Sequence, residues 1–402
     1  MKLRWSSLFW VYIGCILAIH GFIFWQSRQL IREGFPDFSI YYSAGWVARH
    51  GLSDHFYDDT TRFEVQQQFA GRVKQFRDPL PFTHPAFEAW YFAPFSNFSF
   101  LSAYILWDVA NLFLLAIGIW LMRPYLEYFA KFSILKGVLV SLAFFPIFFC
   151  LLQGQDAILI FFVYACAYVF LRHQRYVAAG IVLALGLFKF HLIAPFVLLA
   201  LFWRERKLWY GFVPASLALG VVSLAMVGTQ GIFNYPRFVL ALETEMSGSE
   251  KIPAGMPSLR GLLYLMSPSG WNTRPLLLML CLSLLAFTAW KTCQALAENE
   301  FDFAFSLALL ASALVGYHVV SYDLSMLLIP LALISDQLLR RTDHSFSRKS
   351  LMVVVGILFF SPLQLLLSLR YKDFALMALV VLFLFFGIAS QIASDRTTGE
   401  TS

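Results

Sequence analysis

The stretch KGVLVSLAFFPIFFCLLQGQDAILIFFVYACAYVFLRHQR, residues 136–175, holds two apolar runs whose ends differ in chemistry. The runs, 137–152 and 157–171, meet at the polar turn Gln153-Gly154-Gln155-Asp156, and their far ends carry Lys136, Arg172 and Arg175. Each approaches the length of about 20 residues that lets a helix cross about 30 Å of hydrocarbon. A pair of apolar helices with basic outer ends and a non-basic turn reads as a membrane hairpin whose basic side faces the cytoplasm.

The same alternation continues outward from this hairpin in both directions. Further apolar segments lie at 8–25, 100–122, 176–188, 192–203, 208–228, 275–290, 303–318, 324–339, 351–369 and 374–392. One set of junctions is basic: Lys2/Arg4, Arg123/Lys131/Lys136, Arg172/Arg175, Arg204/Arg206/Lys207, Lys291, Arg340/Arg341/Arg348/Lys349 and Arg396. The other carries Asp37, His84, Gln155/Asp156, Lys189/His191, Arg260 and His318/Tyr322/Asp323, with Lys189, Arg370 and Lys372 the basic residues of its short loops. The expectation is an all-α polytopic membrane protein with twelve crossings and both termini cytoplasmic. Composition agrees: 59% hydrophobic and 13% charged residues lie outside soluble norms. The positive-inside bias accounts for much of the net charge of +6, so no nucleic-acid partner is needed.

Residues 8–25 read as a retained anchor, since no small-residue cleavage site follows them. The five cysteines fall in or beside apolar segments and suggest neither a disulfide nor structural zinc. Two outward loops are long, 26–99 and 229–274. In the first, Asp37 opens and Gly51 closes a helical stripe through Phe38, Tyr41, Tyr42 and Trp46, placed to lie along the membrane surface. A second helical stretch covers 60–76, and a third, His84 to Phe95, carries Pro85 and Pro94 near its ends and is a candidate to dip back into the bilayer. The second loop, with Pro236, Pro253, Pro257 and Pro268, reads as a possible lid.

No phosphate-binding loop, dinucleotide fingerprint, zinc-protease helix or Asp-x-Asp motif occurs, and the inward loops are too short for a nucleotide domain. A transferase of this build takes its donor already activated on the outer side, and a lipid phosphate is the simplest carrier. Such transfer needs a base for the acceptor hydroxyl and groups that hold the departing phosphate. Asp37 is the first choice as base; its position also suits an ordinary N-cap, and the two roles are compatible. Asp323, in the turn Tyr317-His318-Val319-Val320-Ser321-Tyr322-Asp323, is the rival. His318 and Tyr322 in that turn, Lys189 and Arg260 are the candidates for phosphate, each with a plainer reading as a structural, snorkelling or solvated residue. Gln155 with Asp156 forms a polar turn that serves either substrate or its own backbone. His55, Asp54, Asp58 and Asp59 could bind a divalent ion but read better as a solvated loop. A secondary transporter or lipid flippase is the alternative; it predicts ionisable groups at mid-membrane and an internal repeat, and neither is evident.

Several segments, in order, resemble glycosyltransferase family 87. They are Asp37-Phe-Ser-Ile-Tyr41-Tyr-Ser-Ala with Gly51 and Phe56-Tyr-Asp, Phe82-Thr-His84-Pro-Ala, Trp107 with Asn111, Gly154-Gln155-Asp156, Ala179-Gly180 with Lys189, and Gly316-Tyr-His318 with Tyr322-Asp323. His84 stands where the family often has Tyr or Pro, and Asp156 where it has Asn. The resemblance spans about 37–335 and implies a glycosyltransferase C fold and transfer of mannose from a polyprenyl-phosphate donor. The acceptor would be a glycolipid or glycan hydroxyl, and the place the outer face of a bacterial inner membrane. It implies Asp37 as base, with His318 seating donor phosphate or acceptor and Lys189 and Arg260 approaching the donor; Tyr41, His84, Gln155, Tyr322 and Asp323 are the further substrate-binding candidates. No cofactor is implied, and help from a divalent ion stays open.

Overall fold

The computed structural model describes residues 2–71, 80–203, 205–248, 253–268, 271–340 and 346–398, and every regular element among them is helical. The first half contains α1 (Lys2–Arg32), α2 (Phe38–Arg49), α3 (Asp59–Ala70), α4 (Ala89–Phe92), α5 (Phe100–Met122), α6 (Ile134–Leu142), α7 (Phe145–Gln153), α8 (Ala157–Arg172) and α9 (Tyr176–Leu185). The second contains α10 (Phe190–Leu201), α11 (Arg206–Gly248), α12 (Leu259–Met266), α13 (Arg274–Ala297), α14 (Phe301–Val315) and α15 (Leu328–Arg340). The last are α16 (Phe346–Phe359), α17 (Ser361–Leu365) and α18 (Met377–Thr398).

Among the described residues, seven helices are long and apolar enough to cross a membrane, and two bent pairs raise that number to nine. The chain is a multi-pass membrane protein. Its exposed apolar side chains, such as Leu217, Leu278 and Phe383, suit contact with hydrocarbon. The bent pairs, α6 with α7 at 79° and α16 with α17 at 53°, break where Pro146 and Pro362 start the second member. Breaks inside a bilayer leave backbone groups without partners. His20 of α1 meets both breaks: Nδ1 lies 3.1 Å from the Leu142 carbonyl and Nε2 lies 2.7 Å from Ser361 Oγ.

By length and composition Tyr176–Leu201 passes as one span, but packing folds it back. A methyl group on Gly180 would fall 2.1 Å from the Leu208 carbonyl oxygen, and one on Gly211 would fall 2.0 Å from that of Val177, so α9 and α11 touch backbone to backbone. The far end returns to the level at which α9 starts: Trp203 packs on Phe301, whose ring lies 5.7 Å from the Arg172 guanidinium, and Arg172 ends α8 just before α9 begins. The reversal occurs at the 3₁₀ turn Gly186–Lys189, where Lys189 leaves helical geometry (φ −109°, ψ 60°). The segments expected at 176–188 and 192–203 are therefore separate courses, and Lys189 stands at their turn.

Two boundaries differ from the expectation. Helix α1 continues past Trp25 to Arg32, so the stretch expected as the first long loop begins as helix. The second starts as helix, because α11 runs on to Gly248 after a break at Gly228 (φ 64°, ψ −179°). Pro236 does not stop it; proline ends a helix only where its missing N–H and ring are not accommodated. The stretch expected at 60–76 is helical through Ala70, and its residues 72–76 lie outside the described set.

Candidate active site

The site is built on the polar turn between α7 and α8. Gly154 closes α7 in the left-handed region (φ 62°), and Gln155 N–H donates to the Cys150 carbonyl at 2.9 Å. A Cβ there would also fall 2.6 Å from Phe38 Cβ, so glycine is required by space as well as by backbone. The Gln155 carbonyl is then pinned by Trp107 Nε1 and Asn111 Nδ2, each at 3.2 Å. With its backbone held, the buried side chain spans two partners. Nε2 donates to Asp37 Oδ2 at 2.9 Å, and Oε1 accepts from the Tyr41 hydroxyl at 2.5 Å. Burial, then the charges of Asp156 and Glu88, push the Tyr41 phenol well above its ordinary range, so it stays a neutral donor.

Asp37 leads α2 but its side chain does not cap that helix. Its N–H donates to Gln153 Oε1 at 3.2 Å, and its carboxylate is taken by Gln155. The positioning comes from α2 itself, whose Phe38, Tyr41 and Tyr42 are buried against α4 and α5 and whose C-terminus is closed by Gly51 (φ 71°). Asp37 borders a cavity of about 260 Å³ that is also lined by Phe149, Ser321, Tyr322, Ser368 and Lys372.

Beside this clamp lies a buried chain of charges. Lys189 Nζ stands 2.8 Å from Asp156 Oδ1 and 2.8 Å from Asp323 Oδ1, and the other Asp323 oxygen accepts the Val320 N–H at 2.9 Å. His84 Nδ1 is 2.6 Å from Glu88 Oε2 and 3.8 Å from Asp156 Oδ2. Charges removed from water persist only when paired in this way. Burial pushes Glu88 up to about 7 against the opposing pull of His84. Burial disfavours the charged form of His84, yet Glu88 outweighs it and the imidazole pKa is raised. Burial likewise opposes ionisation of Asp156, but Lys189 and then His84 prevail and lower its pKa. With Glu88 protonated, two cations face two carboxylates and the chain is neutral.

Among the described residues, His84, Glu88 and Asp156 are the only His/Cys/Asp/Glu group whose ligand atoms all fall within 4.8 Å. The His84–Glu88 separation is well below the roughly 3.3 Å that tetrahedral ligands at about 2.0–2.1 Å keep from one another. Lys189 already supplies the positive charge. The geometry is that of a hydrogen-bonded ion-pair network. At His55 and Asp58, 2.8 Å apart, both side chains are more than half exposed, as a solvated loop requires.

The sequence candidates thus fall into three groups. Asp37, Tyr41 and Gln155 form the clamp, with Tyr322 on the same cavity. His84, Lys189 and Asp323 sit in the charge chain, where Lys189 is only 3% exposed and both its carboxylate contacts turn it away from free solution. Arg260, at the start of α12, packs against the turn that carries half-buried His318: its guanidinium stacks 3.9 Å over the Tyr317 ring and donates to the Tyr317 carbonyl at 3.1 Å. Sequence reading missed Glu88, although His84 and Glu88 stand four apart in an otherwise apolar stretch, the spacing of facing side chains on a helix turn. It also passed over Lys372 as a site residue.

The family model of glycosyltransferase family 87 matches residues 82–321, more than half of the chain. The chain belongs to glycosyltransferase family 87. No curated protein and no solved structure matches it. This family 87 member is a glycosyltransferase and acts on a sugar donor and an acceptor. The matched span includes Gln155, Asp156, Lys189, Arg260 and His318 and begins after Asp37, which geometry ties back to it through Gln155.

Proposed function

We propose that this glycosyltransferase moves mannose from a polyprenyl-phosphate donor to a hydroxyl of a glycolipid or glycan at the outer face of a bacterial inner membrane. The acceptor oxygen gives its proton to Asp37 and attacks the anomeric carbon as the carbon–oxygen bond to phosphate breaks. The lipid phosphate departs with that electron pair, and the anomeric configuration inverts. A phosphate leaves without protonation, so one carboxylate suffices, unlike the paired acids of glycoside hydrolysis. The observation that carries this reading is Asp37 on the wall of a cavity, its carboxylate held by an amide that orients it and takes no proton.

Sidedness supports it. With α9 and α10 counted separately, each bent pair as one span and the shorter apolar helices α8 and α14 included, the apolar courses come to twelve, the number expected for a glycosyltransferase C-type arrangement with the basic junctions of the sequence on the cytoplasmic side. In this scheme the Asp156–Lys189–Asp323 chain is a rigid backing for the turn. The test is turnover by the purified protein in detergent, where transport has no meaning. Consumption of polyprenyl-phosphate mannose with release of lipid phosphate and an inverted product is expected. An intact donor with every hydroxyl acceptor tried would contradict the reading.

A further inference from the structure

The cavity that Asp37 borders is lined by two charged side chains of opposite sign, Asp37 and Lys372. We infer that Lys372, with the hydroxyls of Ser368 and Ser321, forms a subsite for the phosphate of a lipid-linked phosphate ester, and this rests on the transferase reading above. The leaving phosphate needs a cation across the transferred sugar from the base, and Lys189 is already shared between two carboxylates. Arg260 is turned onto Tyr317.

Lys372 is held in an uncommon way. It ends the π turn Leu366–Tyr371 in the left-handed region (φ 61°, ψ 24°), its N–H donating to the Leu367 carbonyl. That conformation is disfavoured for a residue with a side chain, and π turns concentrate at functional sites. Ser368 lies four residues earlier on the same turn and Ser321 on the opposite element, so hydroxyl-bearing residues from two elements border the same cavity as Lys372. An ammonium is a point charge with three donors, suited to a phosphate that changes orientation as it departs. The cavity, about 260 Å³, lies below the roughly 300–1,000 Å³ of sites that enclose a whole small ligand. It suits a phosphorylated headgroup whose chain stays in the bilayer. The plainer role for an outward lysine is snorkelling to lipid headgroups, which the experiment separates.

Farnesyl phosphate, farnesol and inorganic phosphate are titrated against the detergent-purified full chain, wild type and Lys372→Asn, because asparagine tolerates the left-handed region and carries no charge. Farnesyl phosphate should bind the wild type well above farnesol and inorganic phosphate. Its affinity should fall roughly 10- to 100-fold in Lys372→Asn, the loss expected for one charge-assisted contact, with farnesol unchanged. Lys372→Gly, which relieves the backbone, should show the same loss if the asparagine variant purifies poorly. Equal farnesyl phosphate affinity in wild type and variants, or none in the wild type, overturns the subsite. So does a preference for inorganic phosphate over the lipid ester. Lysine-dependent binding without sugar transfer would leave the subsite standing and remove the transferase reading; transfer with an unchanged donor KM in Lys372→Asn would do the reverse.

Discussion

The two ends of this bundle each hold an aspartate, buried Asp336 and half-buried Asp37, and they use it differently. At the basic end, Asp336 accepts the backbone N–H groups of Glu127, Tyr128 and Phe129 at 3.2, 2.8 and 3.1 Å and pairs with Arg340 at 3.0 Å. Backbone donors and a guanidinium saturate that carboxylate, so it ties the Arg123–Lys131 turns to α15. At the other end, Asp37 meets a side-chain amide and borders a cavity. A carboxylate enclosed by backbone donors is a structural fastening, whereas one oriented by an amide on a cavity wall is what the proposed base requires.

Breaking the charge chain behind the site should have the largest effect on folding. Lys189→Met leaves Asp156 and Asp323 buried beside one another without their shared cation, at a cost of about 3–5 kcal/mol. Loss of most of the folded protein on size exclusion is expected, with partial recovery in Lys189→Met/Asp156→Asn. At the opposite end, Asp336→Asn removes an ion pair and weakens backbone acceptance, lowering stability by about 1–3 kcal/mol. Turnover per folded molecule should stay at the wild-type level there, and a selective loss of kcat would erase the distinction drawn between the two ends.

Much of the architecture was legible because it is periodic: the apolar runs, the basic junctions and the polar turn at 153–156 all show in one dimension. The turn at Lys189 was legible too, since a lysine between two apolar runs marks a boundary. What Lys189 touches was not, because Asp156 and Asp323 come from distant segments and only packing shows that they claim its charge. Glu88 was hidden by its surroundings, where a lone acid in an aromatic stretch looks like part of a surface helix until His84 and Asp156 close around it. The helical start of the second outward loop was missed because glycine and proline were weighed by composition, while α11 absorbs Pro236 and bends at Gly228.

Gln155 gives a finer contrast. Gln155→Ala should lower kcat by roughly 10- to 100-fold, the value of a charge-assisted hydrogen bond. In an Asp37→Asn background it should cost nothing further, because it acts through Asp37; additive losses would mark a merely structural role. The smallest effect concerns pH. Burial raises Glu88 from its ordinary 4.5 to about 7, so the folded state binds its proton more tightly than the unfolded chain does. The stability this contributes is fully present below about pH 4.5 and is lost as pH rises through about 7. The unfolding midpoint in detergent should fall by a few degrees across that window, and Glu88→Gln should flatten the slope.

The most direct measurement is lipid-phosphate release from polyprenyl-phosphate mannose by Asp37→Asn beside the wild type, with both unfolding midpoints recorded. A fall in turnover of roughly 10²- to 10⁴-fold at an unchanged midpoint is predicted. Turnover by Asp37→Asn close to that of the wild type would contradict the assignment of Asp37 as the base.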